Sequence, residues 1–100
     1  MSDKLTDAEI AQALTEVDGW ELLKDRPAIF KKFKFTDFRT AWSFMEDVAM
    51  EADDMSHHPE WLNVYNRVEV TLTTHDVGGL SDLDFDLAAI MDEIAKTVTV

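Results

Sequence analysis

Cysteine is missing from this 100-residue chain. Its absence excludes a disulfide framework, a thiolate nucleophile and a cysteine-based zinc site, and makes a reducing compartment, the cytoplasm, the expected location. Long apolar runs are missing as well, and no window approaches the ~20 apolar residues that a membrane helix needs. The opening Met1-Ser2-Asp3-Lys4-Leu5-Thr6-Asp7 is polar and acidic, where a signal peptide would carry a basic flank and an apolar stretch. Basic residues are few: nine against twenty-one acidic ones, for a net charge of −12. That field repels phosphate backbones and anionic lipid, which argues against direct nucleic-acid binding and against a membrane partner. Repeats and low-complexity segments are also lacking.

What is present is 46% hydrophobic content in a chain long enough for one core and too short for two, so a single domain spanning residues 1–100 is expected. A domain this small hides only about 60–70% of the surface its unfolded chain exposes, which makes association into a homodimer or homotetramer an expectation.

The pattern of elements is readable in order. Thr6-Asp7-Ala8-Glu9 forms a capping box, followed by Ile10, Ala13, Leu14 and Val17 at helical spacing, with Gly19 closing the helix. Trp20–Leu23 and Ile29–Phe35 read as an antiparallel pair of strands around Asp25-Arg26-Pro27. Thr36 is the expected N-cap of a second helix whose apolar face runs through Phe38, Trp42, Met45, Val48, Ala49 and Ala52. After His57-His58-Pro59, Leu62 and Val64 mark a third strand, Tyr65-Asn66-Arg67 a turn, and Val68, Val70 and Leu72 a fourth strand. Gly78-Gly79 leads to a second capping box, Ser81-Asp82-Leu83-Asp84, and a last helix with Leu83, Leu87, Ile90, Met91 and Ile94 as its buried stripe. Val98-Thr99-Val100 alternates like a strand. The order implies an α+β fold: a four-stranded, largely antiparallel sheet with helices packed on one face.

All three histidines, His57, His58 and His75, fall at element ends, where loops hold reactive groups. Histidine both gives and takes protons near neutrality, so such a group points to proton transfer or to metal binding. Pro59 drives His58 toward an extended backbone, so His57 and His58 diverge and do not chelate one ion together. The i, i+4 helical spacing of a metal pair is absent, and no metal site is expected. His75 has the parity of Glu69, Thr71 and Thr73, which turns it away from the apolar core.

His57-His58-Pro59-Glu60-Trp61, Val64-Tyr65-Asn66, Thr74-His75, Gly79-Leu80-Ser81, Asp84 and Leu87-Ala88, together with Gly19-Trp20 and Phe33–Phe35, resemble the signature of the pterin-4a-carbinolamine dehydratases across nearly the whole chain. The resemblance implies a lyase that removes water from 4a-hydroxytetrahydropterin to give quinonoid dihydropterin in tetrahydrobiopterin recycling. It implies His57, His58 and His75 as catalytic residues, with Asp53, Trp20, Trp61 and Asp84 as substrate-binding candidates, a pterin as substrate and no cofactor. Asp84 is also accounted for by its capping box. The acidic run Glu51-Ala52-Asp53-Asp54 leaves open which carboxylate orients His57. The same resemblance carries an alternative, a non-catalytic coactivator module that assembles with its partner through a helix.

Overall fold

The computed structural model describes residues 3–99. Among them, helix α1 (Asp7–Leu14), strands β1 (Glu21–Leu22) and β2 (Ile29–Lys34), helix α2 (Phe38–Asp54), strands β3 (Glu60–Val64) and β4 (Arg67–Leu72), a 3-10 turn (His75–Val77) and helix α3 (Asp82–Val98) follow in that order. The strands form one antiparallel sheet in the order β1-β2-β4-β3. The α+β fold read from the sequence is therefore the one observed.

Period-two alternation assigns the two faces of the sheet. Ile29, Phe33, Val68, Val70 and Leu72 are buried on one face, in register as Ile29 opposite Leu72 and Phe33 opposite Val68. Ile10 of α1, Phe44, Val48 and Ala52 of α2, and Leu87, Ala88 and Met91 of α3 join them in a single core, so all three helices cover that face. Phe33, Phe35 and Phe44 pack with ring centroids 4.7–6.3 Å apart, which makes the junction of β2 and α2 the most aromatic part of the core. The other face carries Lys32, Lys34, Glu60, Leu62 and Val64 toward solvent.

Several local expectations need correction. Helix α1 stops at Leu14 with Thr15 as C-cap, and Gly19, at φ +79°, instead turns the chain into Trp20. Strands β1 and β2 are each shorter than the apolar runs that mark them. The N-cap of α2 is Asp37, not Thr36: its carboxylate accepts both the backbone N–H and the hydroxyl of Thr40, a pair that a threonine one residue earlier could not make. The buried stripe of α2 is Ala41, Phe44, Val48 and Ala52, while Phe38 and Trp42 are half exposed and Ala49 is exposed. Both stripes fit a 3.6-residue period, and the packing of Phe44 on Phe33 and Phe35 goes with the one that is buried. On α3, Asp84, Phe85 and Ala88 are buried alongside Leu87 and Met91, whereas Leu83, Ile90 and Ile94 are only partly so. Val98 belongs to α3 and Thr99 is its C-cap, so the strand-like alternation there is not used; Val100 lies outside the described residues.

No helix among the described residues is long and apolar enough to cross a membrane.

Candidate functional site

Antiparallel register gathers the candidate residues at one end of the sheet. Glu60 at the start of β3 faces Thr71 near the end of β4, and Ile29 at the start of β2 faces Leu72. The segments beyond these pairs, Arg26-Pro27, His57-His58-Pro59 and Thr73-Thr74-His75, therefore emerge side by side. Thr73 Oγ1 donates to the Pro27 carbonyl at 2.8 Å and fastens two of them together.

His57 owes its position to the way α2 ends. The His57 N–H donates to the Ala52 carbonyl and the Ser56 N–H to the Asp53 carbonyl, both at 3.0 Å, with Ser56 at φ +54°. These bonds make a Schellman turn whose left-handed position, normally glycine, is occupied by serine. The turn aims His57 inward and leaves His58, restricted by Pro59, facing out.

The buried partner of His57 is Asp84. His57 Nε2 lies 2.7 Å from Asp84 Oδ1, with side-chain exposures of 9% and 0%. Oδ2 of the same carboxylate accepts the Thr74 hydroxyl at 2.7 Å and the Ser81 N–H at 3.0 Å. The single Thr74 proton is used on Asp84, so in the 2.7 Å Thr74–Ser81 contact the Ser81 hydroxyl donates. An ionised Asp84 thus accepts from three groups, His57 Nε2–H among them, and Nδ1 is the His57 ring nitrogen without a hydrogen-bond partner among the described residues. No buried side-chain nitrogen or oxygen lacks a partner among the described residues. A cap at the N3 position of a surface helix would be solvated; this one is fully buried, and its second oxygen serves the histidine.

His58 and Asp53 form a separate, exposed pair, Nε2 to Oδ1 at 3.2 Å. Beside them a cleft of about 460 Å³ is lined by Asp53, His58, Pro59, Trp61, Ala49 and Met50. Asp53 therefore sits with His58, and the carboxylate on His57 is Asp84. Trp61 is half-buried, against the core on one side and this cleft on the other. Trp20 is placed differently: it is buried edge-on to Phe33 at 5.9 Å and donates its indole N–H to Asp92 at 3.1 Å. Lys31 Nζ donates to the same carboxylate at 2.8 Å. No hydrogen bond or ring contact links Trp20 to a histidine among the described residues.

His75 opens the 3-10 turn, held between the paired Thr74 and Gly79 and closed by Gly78 at φ +66°. β4 ends at Leu72, so strand parity no longer governs His75; the turn itself leaves its side chain 79% exposed. Nε2 stands 3.6 Å from Glu60 Oε2, and Glu60 is gripped by both nitrogens of the Arg26 fork at 2.7 and 2.8 Å. The paired hydrogen bonds to Arg26 outweigh the cost of burial, the next-largest effect, and with smaller help from the charges of Arg26 and His75 hold the Glu60 carboxyl below the usual carboxylate range. Arg26, Glu60, Thr74 and Ser81 were not singled out as site residues by sequence reasoning. Glu60, Thr74 and Ser81 lie inside the motif itself, and a buried N3 aspartate is the one sign that could have pointed to the hydroxyls.

Three histidines, each beside its own carboxylate at the end of an antiparallel sheet, define a class of site suited to moving protons. The chain belongs to the pterin 4 alpha carbinolamine dehydratase family, whose model matches residues 3–94. A relative from Novosphingobium aromaticivorans is 55% identical over 89 residues, covering 89% of this chain and 93% of its own length. Another from Rhizobium meliloti is 50% identical over 94 residues, covering 94% and 90%. Both carry the name "Putative pterin-4-alpha-carbinolamine dehydratase". Among solved structures, the "transcriptional coactivator/pterin dehydratase from Brucella Melitensis" superposes with a TM-score of 0.91 at 47% identity, over 93% of this chain and 99% of that one. A "pterin dehydratase-like protein", described as a RuBisCO assembly factor in the alpha-carboxysome, shares the fold at TM-score 0.67 and 23% identity, over 77% of this chain and 89% of that one.

Proposed function

We propose that the protein is a 4a-hydroxytetrahydropterin dehydratase of the cytoplasm that acts by histidine acid and base catalysis. The observation that carries this reading is the buried His57–Asp84 pair inside a chain of this family. The substrate bears a hydroxyl on C4a and a hydrogen on N5. His57, with its Nε2–H held by Asp84, takes the N5 proton on Nδ1; the N5 electron pair forms the N5=C4a bond, and the C4a–O bond breaks. Hydroxide is a poor leaving group, so His75 donates a proton to the departing oxygen, which leaves as water. His58, beside Trp61 and Asp53, orients the flat heterocycle. The elimination of water from this pterin is redox-neutral and both proton transfers are assigned to histidines, so the proposed step calls for no redox cofactor and no metal.

The decay of 4a-hydroxytetrahydropterin, followed by ultraviolet absorbance with and without the protein, tests the reading. Acceleration that saturates with substrate supports it, and an unchanged spontaneous rate rejects it. A second reading, a helix-docking module, is favoured by the half-exposed Phe38 and Trp42 on α2. It predicts a partner complex that forms equally well without His57 and His75.

A further inference from the structure

Arg26 and Glu60 come from different segments, the loop between β1 and β2 and the first residue of β3, yet meet in a planar fork at 2.7 and 2.8 Å. Such a fork fixes the plane of the carboxylate as well as its place. Arg26 is itself anchored, since its carbonyl accepts the Ala28 N–H at 2.9 Å and the neighbouring Pro27 carbonyl is held by Thr73. Each carboxylate oxygen has two lone pairs, so Oε2 keeps one after bonding Arg26. The nearest donor to it is His75 Nε2, at 3.6 Å. That gap exceeds a hydrogen bond and closes with a small rotation of an exposed ring, as polar contacts in unliganded sites often do.

We propose that Glu60, clamped by Arg26, is the positioning residue for His75 and commits that histidine to the proton-donor role in the dehydration. The inference rests on the dehydratase reading and deepens it, because it separates the work of the two histidines. His57 leans on a buried carboxylate that also accepts two other donors, an arrangement that holds one ring orientation. His75 has no burial to hold it, and an exposed ring without a tether samples several rotamers. The clamp supplies orientation and a fixed negative charge at the Nε2 edge of the ring. A protonated His75 is drawn to that charge at Nε2 and presents Nδ1–H outward. The groups facing Glu60 are Arg26 and His75, with Asp25 beside the guanidinium and Asp76 next to His75 in the chain.

The test is a set of double-mutant cycles read by single-turnover and steady-state dehydration kinetics on folded variants. Glu60→Gln keeps the shape and removes the charge; it is expected to lower kcat about 10-fold while KM moves less than about twofold. In a His75→Ala background the same change should cost nothing further, and in a His57→Ala background it should still lower turnover, by less than its full factor because the two histidines act as one unit. Arg26→Lys keeps the charge but not the fork, and should repeat the pattern at a smaller amplitude. Glu93→Gln, at an exposed pair with Lys96, serves as the control with unchanged kinetics. Equal losses in both histidine backgrounds, or a Glu60→Gln protein as active as wild type, overturn the proposal while leaving the dehydratase reading intact. A wild-type protein without turnover overturns both.

Discussion

His57 and Asp84 are 27 residues apart in the chain and 2.7 Å apart in space, and the same carboxylate that supports the histidine also caps helix α3. The geometry of the proposed proton-transfer pair and helix initiation are thereby tied to one side chain. Asp84→Asn retains the size but replaces one acceptor with a donor among three donors. Turnover is expected to fall by about 10²-fold or more, with the helix still formed. Asp84→Ala removes one partner of a buried pair and should cost about 3–5 kcal/mol of stability. Urea unfolding followed by circular dichroism, next to the dehydration assay, separates the two effects. An Asp84→Asn protein of wild-type activity would show that His57 needs no carboxylate.

The two acid–base candidates differ in what their removal does to the fold. His57→Ala leaves a buried carboxylate oxygen without its donor and is expected to lower stability by about 1–3 kcal/mol. His75→Ala, at a 79% exposed side chain, should shift stability by less than about 0.5 kcal/mol. Each single change is expected to lower turnover by about 10² to 10⁴. The double variant should lose less than the product of the two, since groups acting as one unit are not additive. His58→Ala should raise KM more than it lowers kcat.

The Arg26–Glu60 clamp has a defined pH window. Glu60 ionises below its ordinary 4.5 in the folded protein. Whatever stability it contributes is therefore fully present above that value and is lost as pH falls through the lower, folded-state value. The difference in unfolding midpoint between wild type and Glu60→Gln should persist down to about pH 5 and shrink below it. Nuclear magnetic resonance titration of Arg26→Gln should show the Glu60 carboxyl moving up toward 4.5. A midpoint difference that persists unchanged into strong acid would contradict the clamp.

Self-association is expected, because two apolar surfaces remain open: Phe38 and Trp42 on α2, and Leu62 and Val64 on the outer face of the sheet. Sedimentation at micromolar concentration should give a dimer or tetramer. If α2 forms the contact, added salt should tighten it by screening acidic helices from one another. An 11.4 kDa species at all concentrations rejects the expectation.

Ser56 carries backbone strain at φ +54° immediately before His57. Ser56→Gly relieves a left-handed penalty of about 1–2 kcal/mol and adds a chain-entropy cost of about 0.5–1. Thermal melts should therefore show a small gain in stability. An unchanged kcat would mean that the Schellman hydrogen bonds, which glycine retains, are what set His57.

Much of this protein is determined by local sequence. Thr6 with Glu9 and Ser81 with Asp84 announce two helix starts because capping chemistry acts over three residues. The alternation of Val68, Val70 and Leu72 assigns the core face of β4 by itself. The three histidines stand out by residue type and motif, and the family is carried by the resemblance of that motif over nearly the whole chain. Tertiary structure decided the rest. The apolar positions of α2 allow two overlapping stripes, and only tertiary packing, with Phe44 against Phe33 and Phe35, chose Phe44 over Phe38 and Trp42. Whether Asp53 or Asp84 supports His57 could not be read locally, since both lie near a histidine or a cap, and the burial of Asp84 with Thr74 and Ser81 against His57 settled it. Arg26 and Glu60 are 34 residues apart, each an ordinary charged residue at an element boundary. They meet because antiparallel register brings the start of β2 and the start of β3 to the same end of β4, a relationship that exists only once the sheet has formed.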